Sequence, residues 1–242
     1  MIPKVIHYCW FGEKPLPKAA IRCIDSWKKH FPDYEIREWN ESNYDVRKIP
    51  YTAEAYGARK YAFVSDYARF DILYEQGGVY FDTDVEVLRP FEDILTQGAF
   101  MGRESDGADV NPGLGMAAAP GLALYREVLD HYQDQHFLRG DGSLNMETIV
   151  SRTTGILRAH GLKNEPGVQQ VAGVRVYPKE YFDPLDNNTG EMTVTENTHS
   201  VHWYAMSWLP KRQQIIRRIT RRFHRVFGAD CFRFLKREKH RE

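Results

Sequence analysis

The chain has 242 residues, of which 42% are hydrophobic and 27% charged, a composition typical of a soluble globular protein with a sizeable core. No stretch reaches the ~18 consecutive apolar residues of a membrane span, which excludes a membrane-spanning helix. The formal net charge of zero hides an asymmetry: residues 211–242 carry 12 Lys and Arg against 3 Asp and Glu. An acidic body with a balance of −9 therefore precedes a basic tail with a balance of +9.

The cysteines and the N-terminus indicate a cytosolic protein. Cys9, Cys23 and Cys231 are odd in number and have no metal-type spacing, which favours a reducing environment. The first residues, MIPKVIHYCWFG, contain one lysine and a short apolar run but no small-residue cleavage site. We interpret them as the first strand of the fold rather than as a signal peptide.

Apolar periodicity predicts alternating strands and helices along the body. Strands are predicted over 4–11, 34–39, 79–88, 173–182 and 199–204, and helices over 18–31, 52–76 (in one or two pieces) and 122–132. Gly77 and Gly78 are expected to stop the second helix in the left-handed conformation, and 111–121 is predicted to be a glycine-rich loop. This order predicts an α/β sheet with right-handed crossovers, in one domain over 1–210 followed by a tail over 211–242.

The strand predicted over 79–88 carries acids at every second position, Asp82, Asp84 and Glu86. Because alternate residues of a strand point to the same side, Tyr80, Asp82 and Asp84 are expected to share one face. Two carboxylates about 7 Å apart along a strand can hold a divalent cation. A half-exposed strand with an acidic outer face is the simpler alternative, and Glu86 is expected to be solvated.

The helix before this strand adds a second pair of charges. Asp66 and Arg69 are three residues apart and therefore on one helical face, one Gly-Gly turn before the acidic strand. An Arg, two acids and a tyrosine are then within reach of one cleft. An ordinary ion pair, worth a few tenths of a kcal/mol, would also account for Asp66 and Arg69.

These segments resemble a known family. IPKVIHYCWFG, SWKKHFPDYEIREWNE and YAFVSDYARFDILYEQGGVYFDTDVEVLRP are similar to glycosyltransferase family 32, which includes yeast initiating α-mannosyltransferases and bacterial capsule and lipooligosaccharide glycosyltransferases, with the clostridial glucosylating toxins as more distant relatives. The resemblance is dense over about 2–92 and thins afterwards. Its composite motif, S-D-x-x-R followed by G-G-x-Y-x-D-x-D, is far more specific than D-x-D alone.

The resemblance implies a GT-A type, Rossmann-like nucleotide-sugar-binding fold, a nucleotide-sugar donor, Mn²⁺ or Mg²⁺, and retention of anomeric configuration. It also implies roles for individual residues. Asp84 would bind the metal, Asp82 the ribose and the metal, Asp66 and Arg69 the donor sugar hydroxyls, while Tyr80 would line the donor pocket and Trp10 would stack on the base. Trp10 favours a UDP-linked over a GDP-linked donor, although it could equally be a core residue at a strand end.

The resemblance also implies that a segment late in the chain closes the metal site, and HSVHWYAMSWLP, residues 199–210, is the candidate for it. His202 is the candidate third ligand, with His199 as its rival, and either histidine could instead be structural. Ser207 and Trp208 are candidates for hydrogen bonds to the diphosphate.

The glycine-rich segment 111–121 contains G-x-G-x-x-A, the pattern of a dinucleotide-binding turn. Pro112 and Pro120 stand where a strand should end and a helix should run, so we reject a dinucleotide site. As a loop against the donor sugar it would bring Asn111 near the reacting centre. Residues 140–150 are a candidate for the acceptor side.

The basic tail has the pattern of an amphipathic helix. Its apolar residues lie on one helical stripe, and arginines surround the stripe: Ile215, Ile216, Ile219, Phe223, Val226 and Phe227, with Arg217, Arg218, Arg221, Arg222 and Arg225. This pattern favours contact with an anionic membrane surface at the inner face of the plasma membrane, where a lipid-linked glycan acceptor would be found. Packing on the acidic body is the alternative, and nucleic acid is the least favoured partner.

The function predicted from the sequence is a metal-dependent retaining glycosyltransferase of surface polysaccharide or lipooligosaccharide synthesis. A metal-dependent hydrolase of nucleotide-sugars or phosphodiesters could use the same acids, but the sequence has no His-rich metal cluster for it. A non-catalytic membrane- or nucleic-acid-binding protein is supported by the tail alone.

Overall fold

The computed structural model describes residues 1–104 and 108–205, together with Arg212, Ile216 and Thr220. Within this part of the chain the strands are β1 Val5–Cys9, β2 Glu35–Trp39, β3 Gly78–Tyr80, β4 Val85–Val87, β5 Phe100–Glu104, β6 Asp109–Asn111, β7 Met116–Ala118, β8 Gln169–Val171, β9 Val174–Tyr177 and β10 Ser200–His202. The helices are α1 Lys18–His30, α2 Pro50–Gly57, α3 Tyr61–Gln76, α4 Glu92–Leu95, α5 Ala123–Gln133 and α6 Ile149–Ala159, with 3₁₀ turns at Pro112–Leu114 and Lys179–Tyr181. Apart from the three residues named, the basic tail lies outside the described residues.

The large sheet has the strand order β2-β1-β3-β7-β5-β9-β8, with β6 paired to β5. β2, β1 and β3 are parallel, β7 runs antiparallel between β3 and β5, and β9 is parallel to β5. A separate two-stranded sheet pairs β4 with β10. The α/β class expected from the sequence is therefore present, with helices linking the parallel strands of the first half.

Both faces of the large sheet are covered, which is why its central strands are apolar at nearly every position. One core packs Phe70 and Leu73 of α3 behind the sheet, and a second packs Trp27 of α1 against Phe81 and Phe91. Trp27 is fully buried, and its indole N–H donates to the Val85 carbonyl at 2.8 Å. Burying a large apolar side chain contributes about 1.5–3 kcal/mol, so this contact fixes β4 firmly against α1.

The strand predicted over 79–88 is broken. β3 ends at Tyr80, residues 81–84 form a turn, and the chain resumes as β4 at Val85. The expectation that Tyr80, Asp82 and Asp84 share a face by strand alternation is therefore wrong. The residues on either side of the turn are strand formers, so the sequence predicted one continuous strand. β-propensity does not show whether a segment has a neighbouring strand to pair with.

The predicted helix over 52–76 is two helices, α2 and α3, as one of the two alternatives had it. α3 does end at the Gly-Gly pair, where Gly77 has φ 65° and ψ −164°. The positive φ was expected, but this ψ is not left-handed helical, so the predicted stop is wrong in that detail. A Cβ at Gly77 would come within 2.9 Å of the Ala118 carbonyl, because the chain passes close to β7 here.

The segment predicted as a loop, 111–121, contains a 3₁₀ turn and the buried central strand β7. Alanine and glycine have low strand propensity, so the sequence did not indicate a strand. The rejection of a dinucleotide-binding turn is confirmed, because 113–118 forms no strand–turn–helix unit. β9 and β10 lie within the segments predicted for them, and α5 ends one residue beyond its predicted segment, whereas β5, β6, β8 and α6 were missed.

Cys9 and Cys23 are buried free thiols. Among the described residues no helix is both long enough and apolar enough to cross a bilayer.

Candidate active site

The acidic turn, residues 81–84, presents Asp82 and Asp84 beyond the end of β3. The Val85 N–H donates to the Asp82 carbonyl at 3.0 Å and closes the turn. The Asp82 N–H donates to the Gly113 carbonyl at 3.2 Å, which anchors the turn to the segment before β7. The two carboxylates are thus directed by a turn with fixed hydrogen bonds rather than by strand alternation.

β10 brings His202 to this turn from 118 residues further along the chain. The antiparallel register places His202 opposite Val85, and the imidazole Nε2 lies 3.0 Å from Asp84 Oδ1. The second carboxylate oxygen of Asp84 accepts the Ala205 N–H at 2.8 Å. Asp82, Asp84 and His202, called the triad below, each offer a ligand atom within 4.8 Å of the others.

Arg69 connects the triad to α3. Its side chain is 4% exposed, and Nη2 lies 3.0 Å from Asp66 Oδ1 and 3.3 Å from Asp82 Oδ1. The guanidinium also lies over the Tyr80 ring, 4.9 Å from its centroid, and the Tyr80 hydroxyl donates to Asp82 at 3.2 Å. The i,i+3 ion pair between Asp66 and Arg69 is present, but the same guanidinium extends to the acidic turn.

The predicted donor-site residues differ in how open they are. Tyr80 is 1% exposed, so it supports Arg69 and Asp82 from below instead of lining an open pocket. Arg69 is likewise buried, whereas the Asp82 side chain is 29% exposed. Asp82 is therefore the most accessible member of the Asp66–Arg69–Asp82 network.

Burial raises the pKa of Asp66 to about 6, although Arg69 and the Ile149 backbone N–H at the start of α6 both favour its ionised form. For Arg69, burial is the largest single effect and opposes the charged form, but the interactions with Asp82, Tyr80 and Asp66 together outweigh it and raise the pKa of the guanidinium. Arg69 is consequently a permanent cation, and Asp66 is a carboxylate kept ionised at some cost.

Burial alone would lower the pKa of His202, but the neighbouring Asp84 carboxylate outweighs it and raises that pKa to about 9. Burial likewise disfavours the charged form of Asp84, and the ion pair with His202 lowers its pKa nonetheless. Each partner of this pair therefore stabilises the charge of the other.

The residues of the triad fit a divalent cation. Carboxylate oxygens and an imidazole nitrogen are ligands that Mn²⁺ accepts, and carboxylates also suit Mg²⁺. Asp66, Asp82 and Asp84 supply three negative charges, against the positive charges of Arg69 and of protonated His202, so the site keeps a net negative charge that attracts a cation. A metal ion bound by His202 Nε2 would displace the proton from that nitrogen. His202 Nδ1 is buried without a hydrogen-bond partner among the described residues. Metal binding by the triad stays a prediction.

Asn111 lies beside the acidic turn through Gly113. Its Oδ1 accepts the Gly113 N–H at 2.7 Å, and its Nδ2 donates to Glu104 Oε2 at 2.7 Å. A Cβ at Gly113 would stand 2.2 Å from Asp82 Oδ2 and 3.0 Å from Asn111 Oδ1, so only glycine lets the two side chains approach this closely. Asn111 is thus near the triad as expected, and its amide is held at both ends.

Residues 17–101 match the family model described as "Glycosyltransferase sugar-binding region containing DXD motif". This range includes Asp66, Arg69, Asp82 and Asp84, the carboxylates and the cation just described. Residues 17–101, called the sugar-binding region below after that model, are similar to such a glycosyltransferase region. The resemblance stated from the sequence is therefore confirmed.

Curated relatives of this sugar-binding region are glycosyltransferases by name. Inositol phosphoceramide mannosyltransferase 1 of Schizosaccharomyces pombe is 28% identical over 111 residues, which are 41% of this chain and 33% of the relative. The initiation-specific α-1,6-mannosyltransferase of Candida albicans is 30% identical over 104 residues, 39% of this chain and 27% of the relative. The chain spans about a third of the length of the curated relatives it matches.

Among solved structures, the PaToxG glycosyltransferase superposes with a TM-score of 0.50 at 21% sequence identity, covering 65% of this chain and 69% of that one. The likeness shows the fold, and the predicted GT-A type α/β class is confirmed. The sugar-binding region thus has the architecture that the sequence motif led us to expect.

Trp10, the predicted base-stacking residue, lies just before the matched region, at the end of β1. It is half-buried, and its indole N–H donates to the Lys14 carbonyl at 2.5 Å while its backbone N–H bonds the Trp39 carbonyl. No contact described for Trp10 joins it to the triad. Base stacking by Trp10 stays a prediction.

His199, the rival ligand, is engaged elsewhere. Its Nε2 lies 3.0 Å from Asp93, its Nδ1 faces the Asn197 carbonyl at 2.7 Å, and its ring stacks on Tyr181. His202 is therefore the histidine beside the acidic turn, whereas His199 is paired with Asp93. Ser207 and Trp208, the candidate diphosphate donors, lie outside the described residues.

Several residues around the site were missed from the sequence. Glu86 is half-buried rather than solvated, and its carboxylate accepts the Trp203 indole N–H at 2.8 Å. Gly113 and Glu104 interact with residues that are distant in the sequence. Apart from the Pro112-Gly113 step, no sequence pattern indicates either of them. The Ala205 backbone N–H could not be found from residue type at all.

Proposed function

We propose that this chain is a metal-dependent retaining glycosyltransferase that moves a sugar from a nucleotide-sugar donor to a glycan acceptor. The observation that carries the proposal is the convergence of the triad with Asp66 and Arg69 in the sugar-binding region. In the reaction the acceptor oxygen bonds to the anomeric carbon as the bond from that carbon to the diphosphate breaks. The nucleoside diphosphate takes the bonding electrons, and the acceptor hydroxyl releases its proton.

Asp82, Asp84 and His202 would hold Mn²⁺ or Mg²⁺, which would stabilise the negative charge growing on the leaving diphosphate. Arg69 and Tyr80 hold the Asp82 carboxylate in position by an ion pair and a hydrogen bond. Asp66, fixed by Arg69, offers a partly desolvated carboxylate for donor sugar hydroxyls, and Asn111 would face the reacting carbon. Such preorganised charges lower barriers because they need no reorientation during the reaction.

The donor we favour is UDP-linked. The choice comes from the family resemblance, in which Trp10 occupies the place of an indole that stacks on uracil. Such stacking is worth about 1–3 kcal/mol and by itself does not distinguish a pyrimidine from a purine. Ser207 and Trp208 would bind the diphosphate. Two relatives are mannosyltransferases by name, so GDP-mannose belongs in any donor screen.

The acceptor we favour is a glycan of surface polysaccharide or lipooligosaccharide, free or lipid-linked. The basic tail supports a cytoplasmic enzyme attached to the inner face of the plasma membrane, since its arginines would face anionic lipids. Retention is inherited from the family resemblance, and no described carboxylate is assigned as a covalent nucleophile. The anomeric configuration of the product, read by NMR, tests it.

The decisive experiment is a donor screen on the purified full chain. UDP-sugars and GDP-sugars are incubated with Mn²⁺ or with EDTA, and released nucleoside diphosphate is measured with and without glycan acceptors. We expect release with Mn²⁺ and loss of release in EDTA. Asp82→Asn and Asp84→Asn should each reduce the rate by about 10²-fold or more, because both would remove charge that holds the ion.

Glu86→Gln is the matched control, since it changes a neighbouring acid that bonds Trp203 and leaves the triad intact. Its rate should stay close to that of the wild type. Full sugar transfer by the Asp82→Asn, Asp84→Asn double variant would overturn the metal role. Donor hydrolysis without transfer to any acceptor would favour the hydrolase alternative.

A further inference from the structure

A polar groove of about 550 Å³ lies between α6 and the β5–β6 hairpin, on the far side of Asn111 from the acidic turn. Its walls include Glu104, Asp109, Thr148, Ser151, Gly155 and Arg158. The volume falls within the ~300–1,000 Å³ typical of small-molecule sites. None of the roles assigned above to the donor or the metal uses this groove.

Glu104 connects the groove to the reacting centre. Its Oε2 accepts the Asn111 amide, whose Oδ1 in turn holds Gly113, and the Gly113 carbonyl holds the Asp82 backbone. Glu104 also lies close enough to His202 to interact with it electrostatically. Groups bound in the groove beside Glu104 would therefore be neighbours of the triad.

α6 borders both sides of the site. At its start the Ile149 N–H reaches Asp66, on the side assigned to the donor sugar. Further along the helix, exposed Ser151 and Gly155 face the groove instead. α6 therefore contacts Asp66 at its start and lines the groove further along. A donor sugar at Asp66 and a ligand in the groove would be held near each other, as the transfer of a group between two substrates requires.

The lining suits hydroxyl groups. It combines two carboxylates, the Thr148 and Ser151 hydroxyls and the Arg158 guanidinium, which is paired with Asp109 at 3.1 Å. Among the described residues Glu104 Oε1 accepts no hydrogen bond, and Glu104 is one of the residues that line the groove. Mixed donors and acceptors without a large apolar wall favour a sugar over a lipid chain or a lone anion.

We propose that this groove is the acceptor subsite, in which Glu104 accepts hydrogen bonds from hydroxyl groups of a glycan. The inference rests on the proposed function and adds to it the place and the chemistry of the second substrate. Glu104 orients the acceptor, and the groove walls determine which glycan fits.

Gly155→Trp tests the proposal by filling the groove. Gly155 is exposed on α6, and a Cβ added there would meet no atom within 4 Å, so a larger side chain enters the groove without disturbing the core. Replacing a helical glycine also favours the helix. Gly57→Trp is the matched control, because Gly57 is likewise helical, exposed and open at its Cβ position but lies on α2.

Donor hydrolysis without acceptor and transfer to a panel of p-nitrophenyl hexosides are measured with Mn²⁺ present. We expect Gly155→Trp to keep donor hydrolysis and thermal stability while its acceptor kcat/KM falls by at least about tenfold. Glu104→Gln should raise the acceptor KM, and Gly57→Trp should match the wild type in both donor hydrolysis and transfer.

The outcomes separate the two proposals. If the wild type neither hydrolyses a donor nor transfers sugar, the proposed function fails. If the wild type hydrolyses a donor but transfers sugar to no acceptor, the proposed function fails in favour of the hydrolase. If the wild type transfers sugar and Gly155→Trp transfers it equally well, the acceptor subsite is wrong. Equal losses of hydrolysis and transfer in Gly155→Trp would also overturn it, because the groove would then belong to the donor.

Discussion

Arg69 is a buried cation held between Asp66 and Asp82, two carboxylates that lie 16 positions apart in the chain. Arg69 keeps Asp82 as a partner when Asp66 is neutral, whereas burying the charge of Asp66 itself is costly. The stacked Tyr80 ring adds a cation–π contact beneath the guanidinium. Arg69, Asp66 and Asp82 therefore hold the acidic turn in its geometry, and burying their charges costs stability of the fold.

Asp66→Asn tests the cost of burying the Asp66 carboxylate. The pKa of Asp66 is about 6 in the folded chain, above its ordinary value, so the folded state holds the proton more tightly than the unfolded state. Stability from this group is full at low pH and is lost as pH rises through 6. In EDTA at pH 7.5 we expect Asp66→Asn to raise the free energy of unfolding by about 1–3 kcal/mol and to lower donor turnover.

Urea unfolding of the wild type and of Asp66→Asn between pH 4.5 and 7.5 measures the difference. The gain of the variant should grow as pH rises. A variant that is less stable than the wild type at pH 7.5 would mean that the ion pair with Arg69 outweighs the cost of burial.

At the scale of elements, the sequence predicted α1, β1 and β2 well, because each is long enough for its apolar period to be read. It failed at three-residue strands such as β6 and β7, whose extended form depends on partners elsewhere in the sheet. The acidic strand failed for the opposite reason, since good strand formers flank a turn held by Gly113. His199 and His202 could not be separated from the sequence, because Asp93 and Asp84 select between them only after β10 has paired with β4.

His7 joins three strands and should titrate at low pH. Its Nδ1 accepts the Trp39 indole N–H from β2, and its Nε2 faces the Gly77 carbonyl before β3, both at 3.0 Å. Burial lowers the pKa of His7 to about 4, below its ordinary value, so protonation favours the unfolded chain. Stability from His7 is full above pH 6.5 and is lost as pH falls toward 4, by about 3 kcal/mol in all.

An NMR titration of the imidazole ring protons measures this pKa directly, with His7→Gln identifying the signal. A His7 pKa at or above 6 would contradict the expectation. Urea unfolding should show that the wild type loses more stability than His7→Gln between pH 7 and 5.

At the scale of the whole molecule, charge separates the acidic body from the basic tail, and the motifs lie almost entirely in the first half. The sugar-binding region was predictable because its chemistry fixes residue types at fixed spacings. Glu104 and the rest of the acceptor side were not, since a groove that recognises one particular glycan has no general sequence pattern.

The tail should give salt-sensitive binding to anionic vesicles. We expect the full chain to co-sediment with phosphatidylserine-containing vesicles at low salt and much less in 0.5 M NaCl, because salt screens exposed charges beyond a few ångströms. Arg217→Gln combined with Arg218→Gln, Arg221→Gln and Arg222→Gln should abolish binding and leave donor hydrolysis intact. Equal binding to neutral phosphatidylcholine vesicles, or no change in the variant, would contradict an electrostatic tail contact.

The pairing of β4 with β10 determines when the site can form during synthesis of the chain. Asp82 and Asp84 leave the ribosome long before His202, which follows Asp84 by 118 residues. A nascent chain therefore carries the acidic turn with no imidazole opposite it until 118 residues beyond Asp84 have been added. An intact site therefore shows that β10 has paired with β4. Proteolytic cleavage before β10 would separate the His202 imidazole from Asp82 and Asp84, which would stay in place.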